Sequence, residues 1–277
     1  MRAWIWPLDE EEAWRWLRSL VGSHAGGASP VELSTAIKTG EGAAAFHDPA
    51  ARRLLELYLP LCRDCPERFV VAHLGQSLDG RIAAANGASR WLTGPEDVTH
   101  NHRMRALFDA VVVGAGTVEK DDPQLTVRAV PGGNPVRVVL DPRRRLAAHY
   151  RIFTDGAAPT LLVCDEAAAA TDRRVGQAEV VGAASEGGRL APRALLDRLA
   201  ERGLRRVFVE GGGITVSRFL GAGCLDRLQI AIAPLIIGSG RPSITLPEIS
   251  RLSAGLRPPT RWLSLGRDIL VECRFDG

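Results

Sequence analysis

The segment Val209-Glu210-Gly211-Gly212-Gly213-Ile214-Thr215 begins at the end of a β-rich run, residues 206–209, and precedes a helical segment. Three successive glycines permit positive φ angles and let the backbone approach a ligand closely. The free N–H groups at the start of the following helix can donate hydrogen bonds to phosphate oxygens. A tight turn between strand and helix needs one or two glycines rather than three. The segment therefore favours a phosphate-binding loop in an α/β fold.

Short apolar runs alternate with helical segments on either side of this loop, from residue 68 to the end of the chain. Several runs are continuously apolar, as in strands that are covered on both faces. Strands alternating with helices indicate a mainly parallel central sheet with helices on both faces. The predicted strands are residues 69–74, 110–113, 136–140, 160–164, 206–209, 228–233 and 269–275, and the predicted helices are residues 95–108, 192–202 and 215–220.

The first 67 residues have a different character. Apolar residues at helical spacing predict helices over residues 9–20 and 50–61. This part carries no chemical signature, so we predict a helical N-terminal extension over residues 1–67 and a second domain over residues 68–277. Four of the six tryptophans of the chain lie in the extension: Trp4, Trp6, Trp14 and Trp16.

Composition excludes several classes of protein. The 35 basic and 32 acidic side chains of the 277-residue chain give a net charge of only +3, which does not suit a nucleic-acid-binding protein. No apolar run approaches the roughly 20 residues of a membrane span, and no secretory signal begins the chain, so we expect a cytoplasmic protein without membrane contact. Cys62 and Cys65 form one C-x-x-C pair without a second pair or suitably spaced histidines, so we predict no metal site.

Two further loops follow predicted strands, at the edge where open α/β sheets bind ligands. The loop from Gly75 to Trp91 combines small residues with a tryptophan, whose ring would either face a ligand or lie in the core. The loop Gly114-Ala-Gly116-Thr117 resembles a dinucleotide-binding Rossmann fingerprint, but Glu119 occupies the position of its third glycine. Asp121-Asp122-Pro123 would also break a helix there. We therefore reject that fingerprint and predict a turn that presents hydroxyl and carboxylate groups.

A fourth loop, Asp141-Pro142-Arg143-Arg144-Arg145, follows the predicted strand over residues 136–140. Arginine pairs with phosphate oxygens in a bidentate manner, so three adjacent guanidinium groups could hold the 2′-phosphate of an adenine dinucleotide. The alternative is a solvated run of charge. No nucleophile–base set accompanies the four loops, which agrees with hydride transfer, because a bound cofactor then supplies the chemistry.

Together the loops resemble one family, the pyrimidine reductase of riboflavin biosynthesis, which forms the C-terminal half of a bifunctional deaminase–reductase. The similarity spans residues 69–275. The matching segments are Ser77-Leu-Asp-Gly-Arg81, Ser89-Arg-Trp91, His102-Arg-Met-Arg105, Gly114 to Thr117, Asp121 to Arg128, Glu210-Gly-Gly-Gly213 and Ala233 to Gly238.

The resemblance implies a dihydrofolate-reductase-like fold, a homodimer, and the NADPH-dependent reduction of the ribosyl group of an aminopyrimidine 5′-phosphate to ribityl. It places Glu210 near the reacting carbon as the candidate catalytic residue, and it implies that Arg105 and Arg128 bind the substrate phosphate. Residues implied at the substrate are Ser89, Arg105, Leu125, Arg128 and Glu210. Residues implied at NADPH are Gly75, Trp91, Thr117, Asp121 and the turn from Gly212 through Gly213, Ile214 and Thr215 to Arg218.

Two features depart from the family. The first 67 residues contain no H-A-E or P-C-x-x-C motif of the zinc deaminase, so a deaminase activity would reside elsewhere. Pro142 replaces a small hydroxyl residue, which shifts the expected cofactor contact to Arg143 and its two neighbours. Two alternatives remain open: the same fold and cofactor acting on another small anionic substrate, and a non-catalytic binding or assembly protein that uses the tryptophan-rich segment.

Overall fold

The computed structural model describes residues 9–22, 48–62, 68–170 and 173–275. The chain divides into two compact units, Met1–Pro66 and Glu67–Gly277. The assignment of residues 1–67 as an extension and of residues 68–277 as a catalytic domain stays a prediction. Trp4, Trp6 and Cys65 lie outside the described residues.

The first unit contains two helices, α1 (Glu10–Gly22) and α2 (Pro49–Tyr58). Three glutamates form the first turn of α1, and negative charge there stabilises a helix. The Asp48 carboxylate accepts a hydrogen bond from a main-chain N–H of α2 and caps that helix. The rings of Trp14 and Tyr58 meet edge to face with centroids 5.8 Å apart, so aromatic side chains join α1 to α2. The prediction of helices in this part of the chain is confirmed.

The second unit alternates strands and helices. Its strands are β1 (Phe69–Ser77), β2 (Arg81–Ala83), β3 (Ala110–Gly114), β4 (Val136–Leu140), β5 (Thr160–Asp165), β6 (Arg174–Val175), β7 (Ala178–Ala183), β8 (Ser185–Glu186), β9 (Arg189–Leu190), β10 (Arg206–Glu210), β11 (Arg227–Ala233), β12 (Arg241–Pro242), β13 (Thr260–Leu265) and β14 (Asp268–Arg274). Its α-helices are α3 (Pro95–Leu107), α4 (Ala115–Asp121), α5 (Arg151–Thr154), α6 (Glu166–Ala169), α7 (Pro192–Ala200) and α8 (Gly213–Gly221). The 3-10 turns are Leu59–Leu61 in the first unit and Leu252–Ala254 in the second.

Ten strands form one sheet in the order β13-β14-β11-β1-β10-β3-β4-β5-β7-β6. All pairings from β11 to β7 are parallel. The pairings of β14 with β11, β13 with β14 and β6 with β7 are antiparallel and lie towards the two edges. The prediction of an α/β fold with a mainly parallel central sheet is therefore confirmed.

Helices cover both faces of this sheet, which accounts for the continuously apolar strands. On one face, Val70 of β1 belongs to an apolar core that includes Leu195 of α7 and Val216 of α8. Successive residues of a strand point to opposite faces. On the other face, His73 of β1 contacts Asp97 of α3. Polar side chains therefore lie between α3 and the sheet, near the ends of the central strands.

The prediction for the loop after β3 is wrong. The residues after Gly114 form the helix α4, whereas the sequence predicts a turn there. Gly114 is extended and begins the helix, which ends at Asp122, where φ is +39° directly before Pro123. The Asp-Asp-Pro segment does stop the helix, but only after about two turns have formed.

The short hairpin of β8 and β9 is absent from the sequence prediction. Its turn consists of Gly187 and Gly188, with φ angles of +58° and +71°. Two-residue hairpin turns of this kind require positive φ at both positions. The Gly-Gly pair between Glu186 and Arg189 is the signal that could have identified it.

Candidate active site

A cavity of about 1000 Å³ opens at the carboxyl ends of β1, β10, β3 and β4, which are neighbours in this order in the sheet. Gly75, Gly211, Gly114 and Leu140 mark these four ends, and all of them line the cavity. Open parallel sheets bind ligands at this edge. Because the strand ends follow one another, the cavity runs from β1 at one end to β4 at the other.

Glycines form the middle of the cavity wall because side chains would not fit there. A Cβ atom on Gly213 would lie 2.2 Å from the carbonyl oxygen of Ser243, and one on Gly114 would lie 2.8 Å from the Thr215 hydroxyl oxygen. Ile214 also lines the cavity, so the first turn of α8 borders it. The N–H groups of a first turn lack the usual partners within the helix, although the Thr215 N–H here donates to the Gly212 carbonyl oxygen at 3.0 Å. This part of the wall can therefore bind phosphate groups.

Glu210, the last residue of β10, lines the cavity and forms an ion pair with Arg105 of α3. Arg105 Nε and Nη2 donate to the two carboxylate oxygens of Glu210 at 2.7 and 2.5 Å, and Nη1 donates to the Thr126 carbonyl oxygen at 2.9 Å. Burial alone would lower the pKa of Arg105, but the Glu210 charge raises it overall, so the guanidinium stays protonated. These bonds fix the direction of the carboxylate at the cavity.

Arg128 is a second guanidinium group near the same carboxylate. Its Nη1 donates to the Thr126 hydroxyl oxygen at 3.0 Å, and its main-chain N–H donates to His102 Nδ1 at 3.1 Å. Burial and the positive charge of Arg105 lower the pKa of Arg128, while Glu210 raises it. Burial and the two arginines also lower the pKa of His102 to about 4, so its imidazole is neutral at neutral pH. The positive charges of Arg105 and Arg128 thus both interact with the single negative charge of Glu210.

His73 and Asp97 line the cavity at its β1 end, and each is only 3% exposed. His73 Nε2 lies 3.0 Å from Asp97 Oδ1, and both side chains are buried. Burial raises the pKa of the Asp97 carboxyl, but His73 and other polar neighbours outweigh this effect and lower it to about 2. In the described part of the chain, His73 Nδ1 has no hydrogen-bond partner. His73 also pairs with Glu210 in the β1–β10 register, so the two residues are neighbours across the strands.

The segment Ser77-Leu78-Asp79-Gly80-Arg81 has a structural explanation. The Asp79 carboxylate accepts hydrogen bonds from the Ser77 hydroxyl and from the N–H groups of Ile237 and Gly238. The hydrogen bond from Ser77, followed by those main-chain donors, lowers the Asp79 pKa to about 2. These contacts tie the loop after β1 to the loop after β11.

The structure brings most of the residues predicted from the sequence to one cavity. Three others lie at or near the Arg105–Glu210 pair rather than on the cavity wall: Arg105 itself, Arg128, and Leu125, which is buried and has φ +51°. The predicted residues that line the cavity are Gly75, Ser89, Thr117, Asp121, Glu210, Gly212, Gly213, Ile214 and Thr215.

Trp91 and Arg143 are not on the cavity wall. Trp91 is 86% exposed with φ +63°, which rules out a core tryptophan, and its role at a cofactor stays a prediction. Arg143 is exposed, and its guanidinium lies close to Gly188 in the β8–β9 hairpin. Of the three arginines in that loop, Arg145 lines the cavity.

Sequence reasoning misses several residues that line the cavity, including His73, Asp97 and Arg189. His73 lies inside a strand and Asp97 inside a helix, so only the pairing of β1 with β10 and the packing of α3 reveal their position. Arg189 could have been found from the Gly-Gly turn beside it, because that turn predicts a hairpin.

Within the described ranges, no group of three His, Cys, Asp or Glu side chains is arranged to hold a metal ion. None of the helices described is both long and apolar enough to cross a membrane.

Comparison with known sequences relates this chain to named proteins and to a protein family. The sequence model of the RibD C-terminal domain matches residues 68–271. The 2,5-diamino-6-ribosylamino-4(3H)-pyrimidinone 5′-phosphate reductase of Methanothermobacter thermautotrophicus is 38% identical over 220 residues, which are 76% of this chain and 99% of that protein. The riboflavin biosynthesis protein RibD of Aquifex aeolicus is 35% identical over 176 residues, 62% of this chain and 48% of that protein. The chain thus spans about half the length of this RibD relative.

A solved structure agrees with the sequence comparison. The diaminohydroxyphosphoribosylaminopyrimidine deaminase/5-amino-6-(5-phosphoribosylamino)uracil reductase of Thermotoga maritima superposes with a TM-score of 0.64 and 27% identity. The match covers 85% of this chain and 66% of that protein.

Proposed function

The chain belongs to the RibD C-terminal domain family, and from this premise we propose that it is a nicotinamide-dependent reductase of riboflavin biosynthesis. It converts the ribosyl group of a ribosylaminopyrimidine 5′-phosphate to ribityl. The observation that carries the proposal is the single cavity, whose wall joins glycines suited to phosphates with the Glu210 carboxylate. Arg105 holds this carboxylate from behind the wall, and Arg128 lies near it. Relatives named as reductases of this pathway support it.

The cavity fits a nicotinamide dinucleotide, and we propose NADPH. Gly75, Gly114 and Gly213 leave no room for side chains and keep the wall open along the strand ends. The first turn of α8 provides N–H donors for a pyrophosphate. When bound, the cofactor supplies a hydride from its nicotinamide C4, and the protein orients it.

The substrate lies at the β1–β10 end of the cavity. Arg128, with the free N–H donors that Arg105 retains, binds the 5′-phosphate, because guanidinium groups match phosphate oxygens. Ser89 lines the same cavity and offers a hydroxyl to the sugar or ring. Glu210, held by Arg105, faces the substrate with a fixed carboxylate and orients the sugar carbon that receives the hydride.

Reduction of the opened sugar as its imine at C1 also places one proton on the nitrogen. His73 is positioned to supply it, because it lines the cavity beside Glu210, and its Nδ1 has no hydrogen-bond partner within the described residues. The Asp97 carboxylate lies against Nε2 on the buried side of the ring and orients the imidazole towards the cavity. After the transfer, the neutral imidazole takes a new proton from solvent.

Two forms of the pyrimidine are candidates, with an oxo or an amino group at ring position 2. The Aquifex aeolicus relative carries the name RibD, whereas the Methanothermobacter thermautotrophicus relative, matched over 99% of its length, is named for the 2-amino form. Our main proposal is the 2-oxo form, 5-amino-6-(5-phosphoribosylamino)uracil. The match over almost the whole Methanothermobacter thermautotrophicus reductase makes the 2-amino form the next candidate.

A titration and an assay test this function. NADPH binding is followed by nicotinamide fluorescence, and NADPH oxidation is then measured at 340 nm with each pyrimidine 5′-phosphate. We expect binding, and oxidation that depends on one of the two pyrimidines. Binding without oxidation by either would favour another anionic substrate. Absence of binding at millimolar NADPH would support a binding or assembly protein instead.

We further propose that the enzyme acts in the cytoplasm as a homodimer. Exposed apolar side chains near one edge of the sheet, including Ile236, Trp262 and Ile269, offer a surface for a second copy.

A further inference from the structure

The segment from Asp122 to Arg128 carries two residues proposed for the substrate, Leu125 and Arg128, although it belongs to no helix or strand. Asp122 and Leu125 have φ angles of +39° and +51°. This left-handed backbone is uncommon at residues other than glycine, and it is costly for a bulky leucine. Contacts from other parts of the protein therefore have to hold the segment in this conformation.

Side chains of α3 and β4 hold the middle and the end of the segment. Three of its main-chain groups are bound in this way: the Gln124 carbonyl oxygen by Arg137 at 3.2 Å, the Thr126 carbonyl oxygen by Arg105 at 2.9 Å, and the Arg128 N–H by His102 at 3.1 Å. All three side chains are buried, so these anchors have little freedom to move. The start of the segment, at Asp122, needs a separate anchor.

Arg151, the first residue of α5, provides the anchor at Asp122. Its main-chain N–H and its Nε donate to the two carboxylate oxygens of Asp122 at 2.8 and 3.1 Å. Its Nη2 donates to the Asp122 carbonyl oxygen at 2.9 Å. Asp121 lines the cavity, whereas Asp122 does not. Arg151 thus holds both the side chain and the main chain of the left-handed residue, directly before the part that reaches the substrate.

Arg151 also lies close enough to Arg128 to affect its charge. Burial lowers the pKa of Arg128 most, and the positive charge of Arg151 is among the effects that lower it further. The Asp122 carboxylate pairs with Arg151 and offsets much of this positive potential. The main effect of the pair on a bound phosphate is therefore the position of Arg128 rather than added charge.

We propose that Asp122 and Arg151 are positioning residues for the substrate phosphate, because they fix the start of the segment that carries Leu125 and Arg128. The inference rests on the proposed function, in which Arg128 binds the 5′-phosphate. The side chains of Arg151 and Asp122 are 55% and 39% exposed, and exposed ion pairs contribute little to stability. A small displacement of a binding group can nevertheless reduce its effect strongly. The pair thus determines where Arg128 lies and matters little for folding.

Steady-state kinetics of Arg151→Ala test this role. We expect the KM for the pyrimidine 5′-phosphate to rise about tenfold, with kcat and NADPH affinity within about twofold of wild type, because the groups that bind the cofactor lie elsewhere. The melting temperature should fall by less than about 4 °C. This combination separates positioning from a general structural defect, which would change all four quantities.

The dephosphorylated riboside of the same pyrimidine shows whether the effect passes through the phosphate. Its turnover is measured at high enzyme concentration and low substrate concentration. Arg151→Ala should have the same kcat/KM as wild type for the riboside, since Arg128 then has no phosphate to bind.

Variants of Asp122 test the same contact from its other side. Asp122→Ala should raise the KM as Arg151→Ala does. The double variant should lose no more than the weaker single variant, because the two side chains form one contact. Asp122→Asn should recover most of the affinity, since asparagine tolerates the left-handed backbone and keeps one acceptor oxygen.

Arg202→Ala is the matched control. Arg202 lies 3.0 Å from Glu179 in an ion pair with side chains 35% and 57% exposed, and neither residue lines the cavity. Its loss removes the same charge and a similar surface contact. It should leave the KM for the pyrimidine 5′-phosphate unchanged.

Three results would overturn the inference: an unchanged KM in Arg151→Ala and Asp122→Ala, an equal loss with the phosphate and the riboside, or a joint loss of NADPH affinity and of more than about 4 °C in melting temperature. If the wild type still reduces a pyrimidine 5′-phosphate in those cases, the proposed function survives alone. If the wild type reduces neither pyrimidine, the proposed function fails and this inference fails with it.

Discussion

At the scale of single residues, the contrast between Arg105 and Arg128 decides how the substrate is held. The Arg105 guanidinium donates three hydrogen bonds, to Glu210 and Thr126. The Arg128 guanidinium donates one, to the Thr126 hydroxyl oxygen. Arg105 therefore acts first to fix the Glu210 carboxylate. Arg128 has the larger share of donors left for an anion.

Replacement of Arg128 by alanine tests this division. Loss of a charged donor to phosphate should raise the substrate KM by roughly 10- to 100-fold. NADPH affinity should change by less than about threefold, because the cofactor contacts proposed above lie on other residues. Steady-state kinetics and fluorescence titration measure the two effects. Equal losses in both would place Arg128 in the cofactor pocket.

His73→Gln tests the proposed proton source. General acid catalysis typically contributes about 100-fold or more, so kcat should fall by that order while NADPH affinity is retained. His100→Gln is a matched control, because His100 is buried next to His73 but is hydrogen-bonded to Gln229. An unchanged kcat in His73→Gln would mean that solvent delivers the proton.

Glu210 and its glycines could be predicted from sequence because a short segment contains both the strand end and the turn. His73 could not, since a histidine in an apolar strand is ordinary until its neighbours are known. Its neighbours, Glu210 and Asp97, come from parts of the chain that are 137 and 24 residues away respectively (210 − 73 and 97 − 73).

At the scale of elements, the start of α8 requires glycine more strictly at position 213 than at position 212. A Cβ on Gly213 would collide with the main chain of residues 242 and 243, whereas the nearest atom to one on Gly212 would be the Thr117 hydroxyl oxygen, 3.7 Å away. The neighbour of Gly213 is backbone, which cannot move aside as a side chain can.

Gly213→Ala should therefore displace α8 or the facing segment. We expect a loss of roughly 1–3 kcal/mol in the free energy of unfolding and at least about tenfold weaker NADPH binding. Gly212→Ala should fold with nearly wild-type stability. Urea unfolding and cofactor titration of the two variants provide the comparison. Equal stability of both would show that this close approach does not matter.

The predicted elements show where local sequence is sufficient. The strand at residues 136–140 is predicted from the sequence with its observed bounds, because a short, mostly apolar run ends there at Asp141-Pro142. The helix α4 is predicted wrongly, since Asp121-Asp122-Pro123 signals an end but not how many residues precede it in the helix. Of the paired edge strands, β14 is predicted from the sequence and β13 is missed. The residues of β13 alternate between exposed and half-buried, so they form no continuous apolar run.

At the scale of the whole molecule, the order of the strands builds the site. β1 lies between β10 and β11, which follow it by more than a hundred residues in the chain. The α/β class follows from the alternation of apolar runs and helices, but this order depends on long-range packing that no local pattern contains. It is this order that brings the substrate end and the glycine turn to one cavity.

Buried histidines on the α3 face make the stability of the fold depend on pH. Burial and the charge of His73 lower the pKa of His100 from 6.5 to about 3. Below pH 6.5 the unfolded chain binds a proton there that the folded chain does not. The free energy of unfolding therefore falls as the pH falls from 6.5 towards 3, by about 1.4 kcal/mol per pH unit for such a group.

Urea unfolding at pH 7, 6 and 5 measures this effect. His100 should account for a loss of about 2 kcal/mol between pH 7 and pH 5. Burial and nearby arginines lower the pKa of His102 to about 4, so it should add a loss in the same direction. The variant His100→Gln should show a shallower slope by about one proton. An unchanged slope would mean that His100 is not buried in its neutral form.

We propose that one cavity brings a nicotinamide cofactor and a pyrimidine phosphate together for direct hydride transfer. The most direct test uses NADPH carrying deuterium at the transferred C4 position, with the ribosylaminopyrimidine 5′-phosphates as substrates and mass spectrometry of the products. We expect one deuterium at C1 of the ribityl chain in the wild-type product. A cofactor that binds but leaves every pyrimidine unreduced, or a reduced product without deuterium at C1, would contradict it.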